Sequence, residues 1–322
     1  MKNPEREWPI GGQIRLNAEG TGDYPTIQDA IDAVEHNNLI SVDIYLAPGI
    51  YEQPVMISGD KPNISFIGED AEKTVISFDR HAGSILENGD IASTFRSATF
   101  TVYANHFKAK NITFVNHYDR TGDGGAQAVA LYAYGEHHIY QKCRFIGLQD
   151  TLYVREGSHY FKDCYIEGDV DFVFGGARAV FENCEIYGRN PEPGNPDKTG
   201  YICAPCTVAA QKYGLFFINC NISGDFEKDR LYLGRPWHPA MNPYHNCCAV
   251  FMNCHMSDVV KEAGWKHMGG YQVRNNRLLE YKNTGDGAVM NENRKQLSDE
   301  EAKDWTVMKV LGWENLGWME EV

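Results

Sequence analysis

The chain has no uninterrupted apolar run of about eighteen residues, so its sequence predicts no transmembrane helix and no membrane partner. Its opening segment, MKNPEREWPIGG, carries charges but no apolar stretch of the kind a secretory leader needs. That predicts a cytoplasmic protein, the alternative being a secreted or periplasmic one whose leader lies outside this sequence. Positive charge is also in deficit: 30 Lys and Arg against 44 Asp and Glu leave a net charge of -14. With no basic stripe to neutralise phosphates, nucleic acid is excluded as a partner. An acidic surface also repels a fully charged polyanion, though salt screens that over roughly 8–10 Å. A partly neutral, esterified polysaccharide suits it better. No G-x-S-x-G elbow occurs, although Ser84 follows Gly83, which argues against a serine hydrolase. A leucine-rich repeat would show an L-x-x-L-x-L frame, and none is present.

Metal-ligand spacing is sparse too. Cys203 and Cys206 form a C-x-x-C and Cys247 and Cys248 are adjacent, but the two pairs are 41 residues apart, too sparse a ligand set for a structural zinc. Asp119 and Asp123 flank a GDGG turn (122–125) without the further acids a calcium loop needs. The sequence therefore predicts buried free thiols, no metal and no cofactor. His137 and His138, between motifs, are expected at the surface.

What is present is a recurring phrase. It reads YQKCRFIG (140–147), FKDCYIEG (161–168), FENCEIYG (181–188), FINCNISG (217–224) and FMNCHMSD (251–258), with FKAKNITF (107–114) as an earlier relative. Each has an aromatic residue, a cysteine three later and an apolar residue two beyond that; Lys110 takes the cysteine position in the early relative. The cysteines at 143, 164, 184, 220 and 254 are separated by 21, 20, 36 and 34 residues. A period near 20 marks a solenoid. Short aromatic and β-branched runs punctuated by Gly make each unit strands and turns. The expectation is a parallel β-helix whose coils stack at roughly 4.8 Å, with the cysteines as an inward column. The two longer steps carry inserted loops, at 188–200 and 234–246, rich in Pro and Gly. TIQDAIDAVE (26–35), with Thr26 as N-cap, predicts a helix covering the first coil. Ser298 and Glu301 form a capping-box pattern near the other end. No interdomain linker is visible, so residues 1–322 are expected to form one domain.

The repeat places two acids in register. Asp150 lies seven residues after Cys143, and Asp171 lies seven after Cys164. Carboxylates one coil apart repel by roughly 3 kcal/mol at about 5 Å and an effective dielectric near 20. Splayed surface acids would avoid that cost. Yet apolar segments follow both acids, DTLYV (150–154) and DFVFG (171–175). Gln149 and Gln127 extend the column, and Arg235 in YLGRPW (232–237) is a candidate partner. Acids held in different environments suit one base and one proton donor. An arginine beside Asp171 would favour its ionised form and leave the repulsion to raise the pKa of Asp150.

The segments GTGDYPTIQDAIDA (20–33), GIYEQ (49–53), SATFTVYANHFKAKNITFVN (97–116), QAVAL (127–131), GLQDTLY (147–153), DFVFG, GRPW and YKNTGDGA (281–288) resemble those of pectin methylesterases, in the same order. The resemblance covers nearly the whole chain. It implies an all-β, right-handed, single-stranded parallel β-helix with an N-terminal capping helix and a C-terminal helical or irregular segment. It also implies a monomeric carboxylic ester hydrolase that demethylates galacturonate methyl esters in pectin or its oligomers. By the same resemblance Asp171 is the nucleophile and Asp150 the general acid and base. Gln127 and Gln149 donate to the oxyanion, Arg235 orients Asp171, and Trp237 shapes the sugar site. Val170 stands beside the nucleophile, at a position where the family varies. Tyr153, Phe174 and Trp265 are candidate sugar-stacking faces, each of which could equally be packing. Unlike the many basic plant members, this chain is acidic and thiol-rich. Three rival readings stand beside this one: another pectin-active β-helix enzyme (lyase or polygalacturonase), an inert carbohydrate-binding solenoid, and a relative acting on another ester such as a thioester.

Overall fold

The structure, a computed structural model, describes residues 12–119 and 126–313. The reading of the first eleven residues and that of the GDGG turn therefore fall outside the described residues. The strands gather into one sheet of 16 and one of 8, and every ladder between them is parallel. Successive coils add one strand to each ladder, as a parallel β-helix requires. In the central coils, for example, Arg144–Ile146 pairs with Tyr165–Gly168, which pairs with Glu185–Gly188 and then Asn221–Gly224.

The recurring phrase explains the core. Its aromatic residues, Tyr140, Phe161, Phe181, Phe217 and Phe251, stack face to face with centroids 4.5, 4.7, 4.6 and 4.3 Å apart. All five are fully buried, and burying each contributes roughly 1.5–3 kcal/mol. Between aromatic and cysteine the chain turns a corner. The residue before each cysteine is left-handed, with φ of 51° at Lys142, 53° at Asp163, and 53–54° at Asn183, Asn219 and Asn253. Asn and Asp tolerate that region best, which accounts for their frequency here. The five repeat cysteines then point inward and are buried; all nine cysteines are free thiols. Their S–H groups donate to backbone carbonyls of their own or a neighbouring coil, as Cys184 does to Phe161 at 3.6 Å.

The first coil is covered by a helix, Ile27–Ala33, whose N-cap Thr26 accepts from the Asp29 amide at 3.0 Å. Ile27, Ala30, Ile31 and Val34 are its buried face. Ser298 and Glu301 form the expected capping box. The segment that follows lies along an outer face of the solenoid. Trp305, Val310, Leu311 and Trp313 pack with Tyr160, Val180, Phe216 and Val250. At the last coils Arg294, 1% exposed, makes two hydrogen bonds to Glu280 at 2.8 and 2.7 Å.

The histidine pair departs from expectation. His137 is half-buried and His138 fully buried, its Nε2 bonded to the Ala104 carbonyl at 2.7 Å. Burial pulls the His138 imidazole down to about 4, so it sits neutral in the wall of the solenoid. The bend in Leu131–Gln141, with register shifts after Ala133 and Gly135, is what turns this residue inward.

Candidate active site

The acids lie where the strands Leu152–Lys162 and Val170–Gly175 begin. Leu152 pairs with Val173 and Tyr153 with Phe174, so Asp150 and Asp171 occupy equivalent places one coil apart. Neither follows strand geometry: φ is 68° at Asp150 and 51° at Asp171. The register also shifts between Val170 and Val173. Left-handed residues at a bulge re-aim side chains that would otherwise alternate along the strand. The backbone is pinned by the Asp150 amide donating to the Val170 carbonyl at 3.0 Å. Gly175 is obligatory here, since a Cβ would lie 1.8 Å from the Val154 carbonyl oxygen at a φ of +133°.

Arg235 follows the strand Leu231–Gly234, and its amide bonds the Cys203 carbonyl at 2.9 Å. Its guanidinium grips Asp171 at both oxygens, Nε to Oδ1 at 2.8 Å and Nη2 to Oδ2 at 2.7 Å. This is the planar two-point match that only arginine offers a carboxylate. The guanidinium also rests over the Tyr201 ring at 4.1 Å, and Tyr201 stacks on Tyr232 at 5.1 Å. Asp171 is 6% exposed. Burial pushes its carboxyl above the usual carboxylate range; the two bonds and the charge of Arg235 oppose that rise, and Asp169 adds to it. Asp169 is a third buried carboxylate that sequence reasoning passed over. It stands two residues ahead of Asp171 and accepts from the Val170 amide at 2.8 Å.

One cavity of about 200 Å³ is lined by Gln127, Gln149, Asp150, Asp171, Arg235, Phe174 and Trp237, together with Thr94, Phe95, Ala204 and Met268. The glutamine backbones are held by the coil, the Ala82 amide donating to the Gln127 carbonyl and the Ala128 amide to that of Gln149, at 2.8 and 3.1 Å. Their side-chain amides are left to line the cavity. Phe174 stacks on Tyr153 with centroids 4.4 Å apart, and Phe95 stacks on the same Tyr153 at 5.2 Å. Trp237 meets Phe174 edge-on at 5.8 Å.

The remaining sequence candidates lie elsewhere. Tyr153 is buried beneath Phe95 and Phe174 rather than on the cavity wall. Val170 is half-buried and pairs with Tyr201 just outside it. Trp265 is 4% exposed and sits in the interior, edge-on to Phe251 at 5.8 Å. An isolated parallel bridge ties it to Gly234 and its ring faces inward; as a sugar-stacking face it is corrected to core packing. Three residues on, Met268 reaches the cavity instead.

A family model described as Pectinesterase matches residues 13–314, in which all six polar cavity residues fall. The chain belongs to the pectinesterase family. It is 35% identical over 298 residues to Pectinesterase 31 of Arabidopsis thaliana, covering 90% of this chain and 89% of that protein. Pectinesterase 1 of Olea europaea is 36% identical over 90% of this chain and 76% of its own length. Against Probable pectinesterase/pectinesterase inhibitor 23 of Arabidopsis thaliana the chain spans 48% of the relative, so that likeness is to one part of it. Among solved pectinesterases, pectin methylesterase PemA from Erwinia chrysanthemi superposes with a TM-score of 0.85 at 29% identity, covering 95% of this chain and 98% of PemA. The carrot enzyme gives 0.84 at 28% identity over 98% of both chains. A pectin methylesterase variant solved with a hexasaccharide gives 0.86. The fold is accordingly the right-handed parallel β-helix of these enzymes.

Proposed function

We propose that this pectinesterase hydrolyses galacturonate methyl esters of pectin or its oligomers through Asp171 and Asp150. The observation that carries the reading is the Asp171 carboxylate, desolvated yet clamped at both oxygens by Arg235, in one cavity with Asp150 and two glutamine amides. A free Asp171 oxygen lone pair attacks the ester carbonyl carbon. Burial favours this, because a carboxylate with a raised pKa is the better nucleophile and carries no water shell to shed. Negative charge then moves to the carbonyl oxygen, where Gln127 and Gln149 donate; such donors are typically worth about 3–4 kcal/mol each. The C–O bond to methoxy breaks as Asp150 supplies its proton, releasing methanol and leaving an anhydride with Asp171. Asp150, now ionised, takes a proton from water, whose hydroxide attacks the sugar acyl carbon and restores the Asp171 carboxylate. Phe95, Phe174, Trp237 and Met268 wall the cavity around the ring.

The family's polymer lies outside cells, which favours the secreted or periplasmic alternative over the cytoplasmic expectation. Among the described residues no helix is long and apolar enough to cross a membrane. The test is methanol release from methylated pectin by wild type, Asp171→Asn and Asp150→Asn, with chain length followed alongside. Methanol without chain shortening supports esterase over lyase or polygalacturonase. Near-full activity in Asp171→Asn would overturn the nucleophile assignment.

A further inference from the structure

Two segments that wall the catalytic cavity leave successive coils of the solenoid. One is the loop 235–246, which carries Trp237; the other is a short hairpin, Met268–Tyr271, closed by an antiparallel bridge. The coils beneath them are joined where the Lys266 amide donates to the Gly234 carbonyl at 3.0 Å. Beyond that point, among the described residues, no backbone hydrogen bond ties 235–246 to 266–273. Trp237 and Met268 nevertheless meet the same cavity, so their spacing is set by side chains.

The contact that sets it is a ring stack. The His238 imidazole lies flat on the Tyr271 ring, with centroids 3.5 Å and planes 2° apart. Ring pairs ordinarily sit at roughly 4.5–7 Å, so this one is tight. Hydrogen bonds extend the contact in both directions. The Tyr271 hydroxyl donates to the Met241 carbonyl at 2.6 Å, across from hairpin to loop. Within the loop, His238 donates from Nδ1 to the Asn242 carbonyl at 3.1 Å, and His245 reaches the same carbonyl from its own Nδ1 at 3.3 Å. His238 is buried at 8% exposure, while Ala240 and Met241 beside it are exposed.

The loop needs this support and the hairpin does not. Ala240 and Met241 are both left-handed, with φ of 52° and 58°, a region that non-glycine residues rarely occupy. Strain of that kind persists only where the surroundings over-determine it. In the hairpin the two central residues are Gly269 and Gly270, with φ of 57° and 86°, as a two-residue turn of the primed type requires. Met268 and Tyr271 exchange backbone bonds at 2.9 and 3.3 Å. The hairpin is therefore the rigid member, and Tyr271 is its grip on a strained loop.

We propose that His238 and Tyr271 are positioning residues for ester hydrolysis, their stack locking the loop that bears Trp237 to the hairpin that bears Met268. The inference rests on the esterase reading above. Neither ring lines the cavity; each acts through a neighbour, His238 through Trp237 and Tyr271 through Met268. Those two walls stand around the sugar and away from the acids, so what the stack supplies is binding common to ground and transition states. Its loss shows in KM with kcat little changed.

The test measures methanol release from methylated pectin by wild type, Tyr271→Leu and Tyr271→Phe, and by Tyr271→Leu placed on a Trp237→Ala/Met268→Ala background. Tyr271→Leu should raise KM roughly threefold to tenfold, the worth of one aromatic contact. Tyr271→Phe keeps the stack and should recover most of that rise. On the background lacking both walls, Tyr271→Leu should add nothing, because the residues it acts through are gone. Should Tyr271→Leu fail to fold, His238→Asn takes its place, keeping a donor for the Asn242 carbonyl and removing only the ring. An unchanged KM, a fall in kcat alone, or the same rise in KM on the background without Trp237 and Met268 would overturn the proposal. Absence of methanol with wild type would instead sink the esterase reading on which it stands.

Discussion

Replacing Arg235 by Gln removes two charge-assisted bonds, at 2.8 and 2.7 Å, from a carboxylate that is 6% exposed. Breaking a buried pair from one side typically costs about 3–5 kcal/mol, because the remaining charge is left without a partner. Asp171 has one escape, which is to take up a proton. Burial already raises its carboxyl and Arg235 is the chief opposing influence, so the variant's carboxyl rises further. The sign of the stability effect follows. A carboxyl whose folded pKa lies above its unfolded value binds more protons folded than unfolded, so stability falls as pH rises through the interval between them. The Arg235→Gln variant should therefore be most destabilised at pH 8 and recover as pH falls, the reverse of ordinary acid denaturation. Activity runs the other way, since the nucleophile must be ionised. The acid limb of kcat/KM for methanol release should move to higher pH in the variant. Each unit by which the carboxyl rises above the assay pH lowers the ionised fraction, and the rate with it, about tenfold. Urea melts at pH 5 and 8 and a pH–rate profile would measure both. A stability loss equal at the two pH values, with the acid limb unmoved, would refute the view of Arg235 as the counter-charge of a buried nucleophile.

Gln127→Ala and Gln149→Ala should each lower kcat by about 10²–10³ with a much smaller change in KM, if their amides meet charge only in the transition state; equal changes in ground-state binding would contradict that. Phe181→Ala removes a fully buried ring stacked at 4.7 and 4.6 Å on its neighbours and should cost about 3–5 kcal/mol in urea melts. A loss under about 1 kcal/mol would show that the aromatic column does not hold the coils together. The nine cysteines are all buried, and burial pushes the Cys143 and Cys206 thiols up to about 12. A thiol reagent should find none reactive in the native enzyme at pH 8 and nine in denaturant, and rapid native labelling would refute the burial.

The sequence carried the solenoid because each coil repeats one demand. A stacked aromatic, a left-handed corner and an inward thiol recur wherever the chain passes the same place, so Cys143, Cys164 and Cys184 could be aligned by eye. The equivalence of Asp150 and Asp171 came with them. Their backbone did not: φ is 68° at Asp150 and 51° at Asp171, the latter at a register shift, and no residue pattern announces either. Trp265 shows the limit for aromatics, since burial and sugar stacking select the same side chain, and only its bridge to Gly234 turns it inward. Thr94, Phe95 and Met268 reach the cavity from segments outside the repeat, where period gives no guidance. His138 was misplaced because a β-bend reverses which side chains face in.

Distances along this molecule come in whole coils. Each coil turns its left-handed corner before an inward side chain and adds one strand to each ladder, so the backbone offers one fixed increment, about 4.8 Å, and nothing between. Whatever lies on the outer face is spaced by that increment. Duplicating a coil between Phe100–Val102 and Leu131–Gln141 would move the coils N-terminal to it one step away from the acids while each kept its own surroundings. The solenoid thus acts as a ruler, and inserting or removing a coil would change the reach between the acids and the N-terminal coils by one whole step and by no smaller amount.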